Sequence, residues 1–348
     1  VSLPRIHLIA PAGSCRPFLD ALSIESAAKL IEIVQDAVGP AYRVSGNEAL
    51  IEAGEDEAHG GRADDKQRAA DIEQALADDG VVTVVALRGG AWFTRVLPLI
   101  DFSVLDHRIQ PIAVFGFSEL TTLVNIVGAS KNGLGIYDMG PAFLTYGLKH
   151  HASTLVNANN QAHAQSADWM HARLRPELDA FFLDVTAMIE GRGTDRPVTA
   201  RITCGEVPDR SSATFVGGNL TVLSMLVGSV HDGCVRPAGR WLVLEDFNDK
   251  LERMDRFLAH LTLARYWDEC KGILLGDFHK GYEDLTQAVL KLLPYHIRSK
   301  RSIPILVTKQ IGHVWPMSPL PLHVKVTIER TSDRSYALHW PVSALRTV

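Results

Sequence analysis

The stretch from Pro111 to Val127, PIAVFGFSELTTLVNIV, constrains this chain more than any other. Ile112, Ala113, Val114 and Phe115 form an apolar run that reads as a buried strand. The run breaks at Gly116-Phe117-Ser118-Glu119, and Leu120, Leu123, Val124 and Val127 then resume at the i, i+3, i+4, i+7 spacing of a packed helix. A strand, a sharp turn and a helix in this order deliver Ser118 to the edge of a sheet, beside a helix N-terminus whose N–H groups favour developing negative charge. This is the pattern of a nucleophile elbow. A glycine at 116 gives strand and helix room to approach. The hydrolase elbow reads G-x-S-x-G, however, and Leu120 stands at the second glycine. A serine that only caps the helix, with Glu119 in its first turn, produces the same pattern.

The 348 residues suggest two domains with enough chain to bury a core in each, and 46% hydrophobic with 22% charged residues is the balance of a globular protein. A net charge of −5 gives no basic surface for nucleic acid or an anionic membrane, so a small soluble partner is expected. Cys15, Cys204, Cys234 and Cys270 are scattered without C-x-x-C, which points to reduced thiols in a cytoplasmic protein and not to a zinc ribbon or redox pair. No apolar run approaches the roughly 20 residues that span a bilayer. The opening VSLPRIHLIAPAGS reads as a strand entering a loop, too short in its apolar part for a signal peptide, and the absence of an initiator Met leaves a removed leader open.

Strand and helix patterns alternate through the first half. Ile6 to Ala10 is a strand, Ile24 to Val38 carries helical periodicity, 54–65 has loop composition, and Asp64 to Asp79 is an amphipathic helix ended by Gly80. Val81 to Leu87 is largely β-branched, as in a strand covered on both faces, and runs into Arg88-Gly89-Gly90 with a helix from about Phe93. The turns after Leu87 and after Phe115 therefore sit at strand carboxyl ends, where open α/β sheets bind ligands. Residues 1–150 are read as an α/β domain and 151–195 as a helical linker or insertion. From 196 to 348 comes a second domain, with strands at Thr199–Cys204, Phe215–Asn219, Arg240–Leu244, Gly272–Leu275 and Ile303–Val307, and helices at Leu220–Val227 and Asp249–Trp267. His163 and His171 on the linker lack the carboxylate or cysteine partners of a metal site and read as solvated polar positions. No metal or cofactor is expected.

A serine hydroxyl needs a base within hydrogen-bond reach, and the base needs an orienting acceptor. Glu245 ends an apolar strand at Leu244. His313 follows Gly312 after another. His279, in LLGDFHKG, is its main competitor, and a helix-start acid or a surface histidine would give the same local signals. The chain order Ser118, Glu245, His313 is that of an α/β-hydrolase triad.

Taken together, the segments IHLIAPAGS, Ala86-Leu87-Arg88-Gly89-Gly90 before RVLPLIDF, Val114 to Thr121, Gly217-Gly218-Asn219-Leu220, Leu244-Glu245-Asp246 and Gly312-His313 before Leu320-Pro321-Leu322 resemble the LD-carboxypeptidase family of serine peptidases. That family includes muramoyltetrapeptide carboxypeptidases and microcin C immunity hydrolases. The resemblance implies a parallel-sheet, flavodoxin-like α/β domain plus a β-rich α/β domain, with the active site at their interface. It implies Ser118 as nucleophile, His313 as base and acid, Glu245 as its orienting carboxylate, and the backbone N–H groups of Gly89 and Glu119 as the oxyanion hole. Arg88, Gly90, Trp92 and Asn219 are expected on the substrate side. Arg88 either clamps a substrate carboxylate or braces its loop, for instance through Glu119, and Trp92 either shapes the cleft or packs. Glu119 departs from the family's Asp, and Trp92 from its smaller residue or Tyr. The implied activity is cleavage of the L,D bond before the terminal D-Ala of a peptidoglycan tetrapeptide in the cytoplasm, with a homodimer left open. The alternatives are an immunity-type amidase acting on peptidyl or aminoacyl nucleotides, for which Trp169 or Trp315 would serve as base platform, and a non-catalytic muropeptide-binding protein.

Overall fold

The computed structural model describes residues 3–54, 64–148, 167–280, 283–297 and 302–340. Five strands of the first half, β1 (Arg5–Ile9), β2 (Arg43–Gly46), β3 (Val81–Ala86), β4 (Ile112–Gly116) and β5 (Gly133–Tyr137), form a parallel sheet in the order β2-β1-β3-β4-β5. This is the doubly wound, flavodoxin-like order expected. β4 is buried along its whole length, which is why its sequence is a continuous apolar run and not an alternating one. The helix Ala27–Val38 starts at Ser26, whose hydroxyl accepts the Lys29 N–H, and buries Leu30, Ile33 and Val34.

The second half closes on itself. β6 (Val198–Cys204), β7 (Arg210–Asn219), β8 (Trp241–Phe247), β9 (Gly272–Lys280), β10 (Glu283–Asp284), β11 (Ile305–Val307), β12 (Leu320–Leu322), β13 (Lys325–Ser332) and β14 (Ser335–His339) complete the chain. Without β12 they are ordered β10-β9-β11-β6-β14-β13-β7-β8, and β8 pairs back to β9, so seven strands make a barrel with β10 as an appendage. β7, β8, β9 and β11 run parallel, and helices Leu220–Leu226, Leu251–Leu263 and Thr286–His296 connect them. The carboxyl ends of β7, β8 and β11 therefore share one rim. The helix expected over Asp249–Trp267 is interrupted at Arg265, which adopts a left-handed φ of 62° before a short turn Tyr266–Glu269.

Among the contacts that join the halves, a strand and an ion-pair network stand out. β12 leaves the second half and adds antiparallel to β5, pairing Leu320 with Tyr137 and Leu322 with Gly135. Pro321 is tolerated there because β12 is the sheet's edge. Within the 151–195 segment, Ala167–Ile189 is a helix that buries Leu174, Leu178, Phe181, Phe182 and Val185 and lies against the helix Ala27–Val38. The expected histidine positions 163 and 171 fall outside the described side chains. At the end of this segment Arg196 grips both Asp138 oxygens, at 2.8 and 3.0 Å, together with Asp184 Oδ2 at 2.7 Å and the Met317 carbonyl at 2.6 Å.

Removing Arg196 would leave Asp138 and Asp184, both buried, without their cation. Arg196→Met is expected to lower unfolding free energy by about 3–5 kcal/mol in a urea titration. A loss below about 1 kcal/mol, the scale of a surface pair, would show that the network is not structural.

Candidate active site

Ser118 sits at the carboxyl end of β4 with a φ of 57°, a left-handed conformation that a side chain adopts only under surrounding constraint. The next turn, Ser118–Leu120, is 3-10, and the α-helix begins at Thr121. A methyl group on Gly116 would lie 2.9 Å from Leu120 Cβ. Leu120 thus packs straight over Gly116, and the glycine at 116 alone supplies the clearance that two glycines share in G-x-S-x-G. The N-cap positions of the turn and of the helix are Phe117 and Leu120, so Ser118 holds neither. It faces a histidine instead.

Ser118 Oγ lies 3.0 Å from His313 Nε2, and His313 Nδ1 lies 2.8 Å from Glu245 Oε2. A carboxylate only accepts, so the imidazole donates Nδ1–H to Glu245 and leaves Nε2 to accept the serine hydroxyl. Glu245 is fully buried, and its other oxygen accepts from the Tyr137 hydroxyl at 2.7 Å and Asn219 Nδ2 at 3.2 Å. Gly312, with φ 119°, brings the histidine loop against this carboxylate: a methyl there would stand 3.1 Å from Glu245 Oε2 and 3.3 Å from Asp277 Cβ. Phe247 stacks on the imidazole at 4.6 Å, and Phe117 and Phe143 lie at 5.0 and 5.7 Å. His279, the competitor, is paired with Asp277 on β9.

These groups open on a cleft of about 680 Å³ whose lining includes Arg88, Gly89, Gly90, Glu119, Asn219 and Tyr146 besides Ser118 and His313. A methyl group on Gly89 would lie 3.4 Å from Ser118 Cβ, so the Arg88-Gly89-Gly90 turn and the serine turn are packed together. Arg88 Nη1 donates to the Ser14 carbonyl, so it does brace a loop, by this bond and not through Glu119. Glu119 accepts the Thr94 N–H at 3.3 Å and caps the short helix Phe93–Val96, and burial pushes its carboxyl above the usual range. The extra methylene relative to Asp provides that reach.

Trp92 is not in the cleft lining. It adopts φ 81° at the start of the same short helix, with the Arg95 guanidinium 5.7 Å from its ring centre. Trp315 packs on Gly147 away from the lining, and the Trp169 side chain lies outside the described residues. Asn219 lines the cleft, but its amide is engaged: Oδ1 accepts the Val222 N–H, and Nδ2 donates to Glu245 and, at 3.4 Å, to Asp246. Among the described residues no group of three or more His, Cys, Asp or Glu is placed to hold a metal ion.

Sequence reasoning missed Tyr137, Asp246 and the phenyl cage. A tyrosine at the end of an apolar strand and scattered phenylalanines read as core. Asp246, next to Glu245, was visible but had no assigned task. Its four hydrogen bonds come from the Thr221 N–H and hydroxyl, the Phe247 N–H and Asn219.

Fold and site together define the class: the chain belongs to the LD-carboxypeptidase family. The family's N-terminal domain model matches residues 6–137 and its C-terminal domain model residues 212–328. Among relatives, the chain is 26% identical over 289 residues to the probable murein peptide carboxypeptidase of Bacillus subtilis, covering 81% of this chain and 80% of that one. The fold is similar to that of a muramoyltetrapeptide carboxypeptidase from Oxalobacter formigenes, with TM-score 0.61, 19% identity and coverage of 97% and 99%. It is also similar to that of MccF in complex with glutamyl sulfamoyl guanosine, with TM-score 0.63, 15% identity and 98% coverage of both chains.

Two outcomes follow from this geometry. Gly312→Ala forces a methyl onto the Glu245 carboxylate and a side chain into φ 119°, so hydrolysis by the purified variant should fall by at least about tenfold, the equivalent of 1.4 kcal/mol; full activity would show that the loop tolerates displacement. Burial and the charge of Glu245 push the Asp246 carboxyl up to about 6 from its ordinary 3.8. The folded state therefore binds this proton more tightly than the unfolded chain, and stability falls as pH rises from about 4 to about 6, by at most about 3 kcal/mol from this group, and is level above. The difference between unfolding free energies of the unsubstituted protein and Asp246→Asn should decline over that window. A flat difference would rule out this titration.

Proposed function

We propose that the protein is a serine carboxypeptidase that hydrolyses the L,D amide bond before the terminal D-Ala of a peptidoglycan tetrapeptide. The observation that carries the reading is the line from Ser118 Oγ through His313 to Glu245, at 3.0 and 2.8 Å, opening on the cleft. In this reaction Ser118 attacks the carbonyl carbon while His313 Nε2 takes its proton, and Glu245 steadies the imidazolium through Nδ1–H. The backbone N–H groups of Gly89 and Glu119 receive the oxyanion, each worth roughly 3 kcal/mol in such sites. His313 then returns the proton to the departing amine, and water, activated by the same imidazole, releases the acyl group from Ser118. Arg88, a cleft-lining cation anchored at Nη1, is suited to receive the terminal carboxylate. The name of the Bacillus relative supports this substrate class.

One observation favours a second reading, an amidase acting on an aminoacyl nucleotide. Phe143 and Tyr146 stack at 5.1 Å and both line the cleft, and an aromatic surface of this kind suits a nucleobase.

Mass spectrometry of a digest containing an L,D tetrapeptide acid, its C-terminal amide and an aminoacyl sulfamoyl adenylate separates the two. The carboxypeptidase reading expects release of D-Ala from the acid in preference to cleavage of the amide, and a preference for the adenylate would overturn it. Ser118→Ala and His313→Ala should each remove turnover by orders of magnitude, with the double variant little worse than either. Additive losses would mean that the two residues do not act as a unit.

A further inference from the structure

Tyr137 ends β5 with its side chain fully buried, yet its phenol touches two parts of the site at once. Ser118 N–H donates to the phenolic oxygen at 3.2 Å, and the phenol O–H lies 2.7 Å from Glu245 Oε1. The polarity is fixed, because an amide N–H only donates, a carboxylate only accepts, and a phenol has one proton. The chain of bonds therefore runs from the Ser118 amide through the Tyr137 hydroxyl to Glu245. Nothing leaves the ring room to turn away: it packs edge-on to Phe117 at 6.5 Å, and a methyl on Gly218 would stand 2.7 Å from its Cε2. Burial and the charge of Glu245 hold the phenol well above its ordinary range, so it keeps the proton it donates.

We propose that Tyr137 is a positioning residue that ties the strained turn carrying Ser118 to the carboxylate that orients His313, so that nucleophile and base are set by one hydroxyl. The inference rests on the serine-hydrolase reading above. Two consequences follow. The Ser118 amide is engaged by Tyr137 and is withheld from a developing oxyanion, which falls to the amides of Gly89 and Glu119. The phenol also draws charge toward Oε1, away from the oxygen that faces His313. The other titratable groups facing Glu245 are His313 on the loop after β11, Asp246 on β8 and Asp277 on β9.

The test compares the full-length protein with Tyr137→Phe, Ser118→Ala and a form carrying 3-fluorotyrosine in place of Tyr137, assayed on the tetrapeptide acid. Tyr137→Phe should lower kcat by about 10- to 100-fold, the effect of losing one hydrogen bond to a charged group, with KM little changed. Because Glu245 then holds the imidazolium more strongly, the acid limb of the rate profile should move to higher pH. Fluorination makes the phenol a stronger donor and should move that limb the opposite way, which keeps the idea open to refutation if the Phe variant fails to fold. The downfield proton resonance of His313 Nδ1–H should shift in both forms with no substrate present, which a purely packing role would not produce. Unaltered kcat, pH profile and resonance beside an inactive Ser118→Ala would overturn the role of Tyr137. A fully active Ser118→Ala would instead overturn the hydrolase reading, and the resonance would still decide the coupling.

Discussion

A fully buried carboxylate at the seam of the two halves is the constraint on which the site depends. Glu245 comes from the barrel, and its hydrogen-bond donors come from both halves: Tyr137 from the parallel sheet, Asn219 and His313 from the barrel. Burying an ionised carboxyl without donors would be prohibitive, so each must be present and correctly aimed. The demand propagates outward. Asn219 can face Glu245 because its own oxygen caps the helix after β7, and His313 can face it because Gly312 has no side chain to collide with the carboxylate. Three phenyl rings then restrict the imidazole to a narrow range of tilt.

The cleft combines two characters that narrow the substrates it suits. Its lining includes the Arg88-Gly89-Gly90 turn and the serine turn, which offer polar groups, and the stacked rings of Phe143 and Tyr146, which offer apolar surface. A peptide acid uses the first and can lay an aliphatic stem along the second. An aminoacyl nucleotide would use the rings more fully.

Much of this was legible in the sequence because it is local. Ser118 follows β4, Glu245 lies near the carboxyl end of β8 and His313 follows β11, and the packing of the parallel sheet's carboxyl end against the barrel rim brings the three into one chain of hydrogen bonds. The parallel order of the first sheet follows from alternating strand and helix patterns. What could not be read depends on pairings between distant segments. Barrel closure rests on β8 pairing with β9 as well as β7, and a strand's sequence does not say how many neighbours it has. The addition of β12 to β5 hides in three residues, one of them a proline. Tyr137 carries the apolar signature of a core strand, since the partners of its hydroxyl lie far along the chain. Glu119 and Trp92 look like departures from a pattern, and the local packing explains both: one caps a short helix, the other begins it.

The short strand β12 has a consequence for how the molecule comes into being. As the ribosome releases the chain, β5 emerges with its outer edge bare, and it stays bare until almost the whole of the second half has followed. Leu320 then pairs opposite Tyr137, the residue that touches both Ser118 and Glu245. Contacts so distant in sequence form late, because a long loop must close before they return anything. The meeting of Ser118, His313 and Glu245 is therefore among the last contacts the nascent protein forms. The same stitch ties the second half of the chain to the edge of the first half's sheet, beside the residue that joins the two parts of the site.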